Sequence, residues 1–200
     1  DADADTTGEA GIEQEQQRLD MLNNHHVISS TITSGCICCT ARAELVEHIN
    51  RMAEQRVNYI IVEASPVAQV LALANVLKCQ GAADVCRIDT LVTMVDSAHF
   101  FDLYCDGNFL RDKQLAVSPR DRRSVVDVLV DQVEYAGMLV CNKTDLISED
   151  QSDADVLEAS LRALNSKAPI IHVTNGQVPL DYAVNTTTFD EQAITTYPGW

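Results

Sequence analysis

Gly137-Met138-Leu139-Val140-Cys141-Asn142-Lys143-Thr144-Asp145 runs from unbroken apolar side chains straight into four polar residues. An apolar run with no alternation suits a strand covered on both faces, the form that strands take in a parallel sheet flanked by helices. Three other stretches read the same way. Tyr59-Ile60-Ile61-Val62 ends in Glu63, Thr90-Leu91-Val92-Thr93-Met94-Val95 ends in Asp96, and Pro169-Ile170-Ile171-His172-Val173 ends in Thr174-Asn175-Gly176. These runs predict four parallel strands near 58–63, 89–95, 137–141 and 169–173. Helical spacing fills the intervals. Thr40 followed by Glu44 reads as a capping box ahead of Leu45, Val46, Ile49 and Met52, which predicts a helix from about Ala41 to Glu54. Further helices are expected from Pro66 to about Leu77, over 124–135 and over 153–164. Alternating strands and helices of this kind imply an α/β domain with a parallel sheet. Upstream, Ile12, Leu19, Met21 and Leu22 suit an exposed helix over 9–23, and 27–33 suits a short strand or extended arm.

The bulk composition narrows the possible partners. Two hundred residues, 46% hydrophobic, can bury one sizeable core. Thirty acidic against fourteen basic side chains give a formal charge of -16, which repels nucleic-acid phosphates and anionic lipid surfaces. No apolar run is long enough to span a bilayer, and the acidic start Asp1-Ala2-Asp3-Ala4-Asp5 is unlike a basic leader. A cytosolic location, with neither nucleic-acid nor membrane partners, is the expectation. The first residue is not Met, so upstream sequence is expected.

In parallel sheets ligands gather beyond the carboxyl ends of the strands. That edge here carries Glu63, Asp96, Asn142 and Thr174, a polar row on an apolar set. Asn142-Lys143-Thr144-Asp145 has the form of a guanine-recognition motif. A carboxylate at Asp145 can accept two hydrogen bonds from the N1 and N2 hydrogens of guanine, which adenine cannot offer. Lys143 would lay its methylene stem over the base, and Asn142 would tie neighbouring loops together. The alternative is an ordinary polar turn after a strand.

Seven cysteines include the cluster Cys36-Ile37-Cys38-Cys39. Three thiolates within four residues suit zinc or another borderline-soft divalent ion, leaving one position of a tetrahedron open for transfer. At a helix start the sulfurs also feel the helix dipole, which favours thiolates. A redox site would more often use the Cys-x-x-Cys spacing. The scattered Cys79, Cys86, Cys105 and Cys141 read as small buried hydrophobes. His25-His26 could be an accessory metal pair, although such a pair is more often simply solvated.

With both motifs in view, the chain resembles the CobW family of P-loop GTPases. The matching stretches are Gly35-Cys36-Ile37-Cys38-Cys39-Thr40 with Arg42, Tyr59 to Glu63, Val92 to Asp96, Val130-Asp131-Gln132-Val133-Glu134, Asn142 to Asp145, and Pro198-Gly199-Trp200. The insert at Phe109-Leu110-Arg111 is similar to that of the zinc-related branch. The resemblance implies a P-loop NTPase-like sheet and assigns Glu63, as catalytic residue, to the Walker B position; taken by itself, its carboxylate suits a magnesium ion or its waters, or equally a helix N-terminal charge ahead of Pro66. It assigns Asn142, Lys143 and Asp145 to GTP, and Cys36, Cys38 and Cys39 to the metal. The implied activity is GTP hydrolysis driving delivery of zinc, with cobalt the second choice, to a client metalloprotein. Residues 1–176 would be part of the nucleotide-binding domain and 177–200 a tail leading to a further domain.

Three departures accompany the match. No Gly-x-x-x-x-Gly-Lys-Ser/Thr occurs in the chain, and family members carry that phosphate loop upstream of where this sequence starts. This stretch by itself is therefore not expected to hydrolyse GTP. Glu63-Ala64-Ser65 runs directly into Pro66, so the second switch is shortened, and 23–34 is longer than the pattern. The rival reading is a non-enzymatic metal-binding module with a degenerate nucleotide site.

Overall fold

The computed structural model describes residues 28–32, 41–79, 81–147 and 151–190. The expected helix over 9–23, the cysteine loop with Cys36, Cys38 and Cys39, His25-His26 and Pro198-Gly199-Trp200 all lie outside them.

The centre is a parallel sheet of three strands in the order β1-β2-β3: β1 is Val92–Asp96, β2 Met138–Asn142 and β3 Ile170–His172. Register pairs Asp96 with Asn142 and Cys141 with His172. The polar ends of β1 and β2 therefore lie side by side. In β2, Met138 is 2% exposed and Leu139, Val140 and Cys141 0%, as the unbroken apolar run requires.

Helix α1 is Arg42–Glu54, α2 Val70–Leu77, α3 Phe100–Tyr104, α4 Val125–Glu134, α5 Gln151–Leu164 and α6 Leu180–Ala183. On one face of the sheet, Leu139 and Cys141 share a cluster with Val133 of α4, Leu157 and Leu161 of α5 and Phe100 of α3. Met138 and Val140 point the other way, onto Val173, Ile171 and Val178. Helix α4 starts at a reciprocal capping box: the Asp127 amide donates to Ser124 Oγ at 3.1 Å, and the Ser124 amide donates to Asp127 Oδ2 at 2.8 Å.

Two expectations about the elements need correction. The run near 58–63 is extended but joins no ladder among the described residues. Its covering is one-sided: Ile60 and Val62 pack against α1, while Ile61 is 80% exposed. A ladder needs a neighbour to take its backbone groups, and apolar content cannot supply one. The helix expected from Pro66 starts at Val70, because Ser65–Ala68 forms a turn first, with the Ala68 amide on Ser65 O at 2.9 Å. Helix α1 has Ala41 at its N-cap, and the expected box of Thr40 with Glu44 falls on Thr40, outside the described residues. Of the four scattered cysteines, Cys141 is buried and Cys105 is exposed.

Past α6 the chain turns back to the amino end of β1. Asp89 accepts from the Thr187 amide at 2.7 Å, the Thr186 amide at 3.0 Å and the Tyr59 hydroxyl at 2.8 Å. Thr188 Oγ1 donates to Thr90 Oγ1 at 2.7 Å. Gly137 lets these pass: a Cβ there would lie 3.0 Å from Thr90 Oγ1 and 3.2 Å from Thr188 Oγ1.

Candidate functional site

At the carboxyl end of β2 the chain leaves the sheet through Lys143, whose backbone takes the left-handed conformation (φ 61°, ψ 34°), into a single 3-10 turn, Thr144–Leu146. Two anchors hold this turn. Thr144 Oγ1 donates to Val173 O at 3.1 Å and lies 3.2 Å from Thr174 Oγ1. Asn142 Oδ1 accepts the Gly176 amide at 2.9 Å. Asn175 and Gly176 both have positive φ, 53° and 67°, and glycine makes the second cheap. The loops after β2 and β3 are thus one cross-braced unit, with Asp145 exposed on it.

The third strand end contributes as well. Asp96 Oδ2 accepts from Lys143 Nζ at 2.7 Å and meets His99 Nδ1 at 3.1 Å, while Oδ1 accepts the amides of Ala98 and His99 at 3.2 and 3.3 Å. Burial opposes the charge on Asp96, but the Lys143 and His99 contacts outweigh it and hold the carboxyl below its ordinary range. Sequence reasoning placed Asp96 on the polar row without giving it a partner. The parallel register Asp96 to Asn142 is what brings it within reach of Lys143. Gly176 was also missed as a loop anchor, although Asn175-Gly176 after a strand is a turn signal.

Glu63 is exposed at the end of the one-sided segment, on a different element from the Asn142 loop. Its surroundings are fixed from both sides. Ile60 and Val62 share a cluster with Leu45 and Ile49 of α1, the helix that follows the cysteine loop. The turn after Glu63 is bonded to α4. A carboxylate at this exposed position could stand beside a hydrated magnesium ion, which would polarise phosphate oxygens when bound. Among the described residues no group of three or more His, Cys, Asp or Glu could hold a metal by itself. No helix among them is long and apolar enough to cross a membrane.

A parallel α/β domain whose strand ends carry a braced loop pair with an outward carboxylate is a ligand-binding domain built on the sheet's carboxyl edge. The chain belongs to the CobW/HypB/UreG family, whose nucleotide-binding domain matches residues 6–172. It is 34% identical over 176 residues to a zinc-regulated GTPase metalloprotein activator 1 of Dictyostelium discoideum, covering 84% of this chain and 37% of that protein. It is 30% identical to a zinc chaperone CobW of a Sinorhizobium species over 74% of the chain and 43% of the relative. With the zinc chaperone YjiA of Escherichia coli the identity is 25%, over 84% and 48%. The chain thus spans about a third to a half of the length of these curated relatives. No solved structure matches it.

Proposed function

We propose that this chain is part of the nucleotide-binding domain of a GTP-dependent zinc chaperone, in which GTP binding and hydrolysis are coupled to metal delivery to a client metalloprotein. The observation that carries the reading is the bond from the Gly176 amide to Asn142 Oδ1. It gives Asn142 the loop-tying role that a guanine site asks of that residue. With the loops joined, Asp145 is free to accept from guanine N1 and N2, and the Lys143 stem is available to cover the base. Lys143 Nζ reaches Asp96 at the end of β1 at 2.7 Å, and that contact limits where its stem lies. Cys36, Cys38 and Cys39 hold the zinc cargo, and Glu63 orders magnesium or its waters. The names of the relatives support the zinc and GTP parts of this reading.

The test uses the full-length protein in two arms. Asp145→Asn should move preference from GTP toward xanthosine triphosphate, because the amide can donate to the extra carbonyl of xanthine. Cys38→Ser and Cys39→Ser should each weaken zinc binding at least about tenfold in competition with a chromophoric chelator, since each removes one of few ligands. Equal binding of ATP and GTP by the unaltered protein would refute the guanine site. Unchanged zinc affinity in both serine variants would refute the metal site.

A further inference from the structure

The turn that follows Glu63 is held from outside by side chains more than fifty residues away in sequence. Arg123 Nη1 donates to Val67 O at 2.9 Å. Gln132 Nε2 donates to Pro66 O at 2.8 Å and to Ala68 O at 3.2 Å. Asp131 Oδ2 accepts the Val70 amide at 3.2 Å, which caps the first turn of α2 from α4. Val67 itself is buried against Leu110 and Val128. Two residues of the clamp are fixed in turn. Arg123 forks onto Asp121 at 2.9 and 2.8 Å, and the Gln132 carbonyl accepts from Thr93 Oγ1 of β1 at 2.6 Å.

Four bonds to four residues within 66–70 are more than a turn needs to close. Ser65–Ala68 already closes itself with the Ala68 amide on Ser65 O. The additional bonds fix where the turn stands relative to α4 and β1. Only Ala64 and Ser65 separate Glu63 from the clamped stretch, so the clamp limits where its backbone can stand.

We propose that Gln132 and Asp131, supported by Arg123, are positioning residues for Glu63: they set the short turn after it so that its carboxylate stands where the hydrolysis step requires. The inference rests on the reading of Glu63 as the carboxylate of that step. Gln132→Ala and Asp131→Ala remove the clamp, Gln132→Glu keeps the side-chain shape but cannot donate, and Asp131→Asn keeps an acceptor for the Val70 amide.

The experiment measures kcat and KM for GTP-dependent phosphate release, fluorescent GDP affinity and Tm, on the full-length protein with each variant and with Glu63→Gln. Gln132→Ala, Gln132→Glu and Asp131→Ala are expected to lower kcat at least about tenfold, as displaced catalytic groups do. GDP affinity should stay within about twofold, because the Asn142 loop lies on other strand ends, and Asp131→Asn should recover most of kcat. Loss of kcat in Glu63→Gln with near-normal kcat in the clamp variants overturns the clamp alone. Clamp variants whose kcat, GDP affinity and Tm fall together overturn it in favour of a purely structural role. Normal kcat in Glu63→Gln overturns both the clamp and the role given to Glu63.

Discussion

Asn165 makes five hydrogen bonds with one side chain. Its Nδ2 donates to the carbonyls of Val133 at 2.9 Å, Glu134 at 3.1 Å and Ala136 at 2.9 Å, and its Oδ1 accepts the amides of Lys167 and Ala168 at 3.1 and 3.0 Å. It is 4% exposed, and it closes the carbonyl end of α4 while turning the chain from α5 into β3. Asn165→Ala should cost about 3 kcal/mol in urea unfolding, since it leaves buried carbonyls without donors. A loss under about 1 kcal/mol would show that water replaces them. Nothing in the sequence marked this residue, because a polar side chain at the end of an amphipathic helix normally faces solvent. The Asn142 loop stood out as a candidate for the opposite reason. Asn142, Lys143, Thr144 and Asp145 are contiguous, so the pattern shows in the sequence, whereas the distant partners that brace it, Asp96, Val173 and Gly176, do not. Cys141 fits its expected role as a small hydrophobe, since burial, with Glu158 nearby, pushes its thiol up to about 11. Cys105 does not fit it, because the loop after α3 turns outward.

At the scale of elements, apolar runs located three strands correctly and misjudged the fourth. A run such as Tyr59 to Val62 states that a segment will be extended. Which edge it joins depends on residues elsewhere, and among the described residues none offers one. The start of α2 was shifted for a comparable reason. Proline is welcome in a first helical turn, yet here the bonds from Arg123 and Gln132 capture the carbonyls of Pro66, Val67 and Ala68 and delay the helix. The returning segment 184–190 was not anticipated as an element at all. Its attachment to Asp89 makes a pH prediction. Burial works against the Asp89 charge, but the Thr187 amide, the Tyr59 hydroxyl and Thr186 overcome it and hold the carboxyl below its ordinary range. A carboxyl depressed in the folded state contributes stability above its unfolded pKa and loses it as pH falls through the folded one. Asp89→Asn should therefore be less stable than the parent at pH 7, with the gap closing toward about pH 3, the acid side of an ordinary Asp. Thermal melts across that range check it, and a gap independent of pH would show that shape rather than charge holds the segment. Tyr59, whose hydroxyl is pushed up to about 12 by burial and by Asp89, stays protonated throughout and remains a donor.

Across the described residues, connections run between the pieces of the candidate site and not only between packed surfaces. Leu45 and Ile49 of α1 meet Ile60 and Val62 just before Glu63, while α4 grips the turn just after it and leads directly into β2 and Asn142. Packed and bonded routes thus run from the two sides of Glu63 to α1 and to α4. The parallel topology that creates these routes also governs how the chain comes into being. Each neighbouring pair of strands is separated by a helical crossover, with no hairpin to zip locally, so closure of long loops must precede any reward from pairing. β2 holds the most deeply buried stretch of the sheet, yet its second edge waits for Ile170–His172, made some thirty residues later. On the ribosome, at roughly 5–20 residues per second, that edge and its apolar side chains stand bare for a few seconds. The sheet that organises the site is thus, during synthesis, a surface that other nascent chains or a chaperone will meet first.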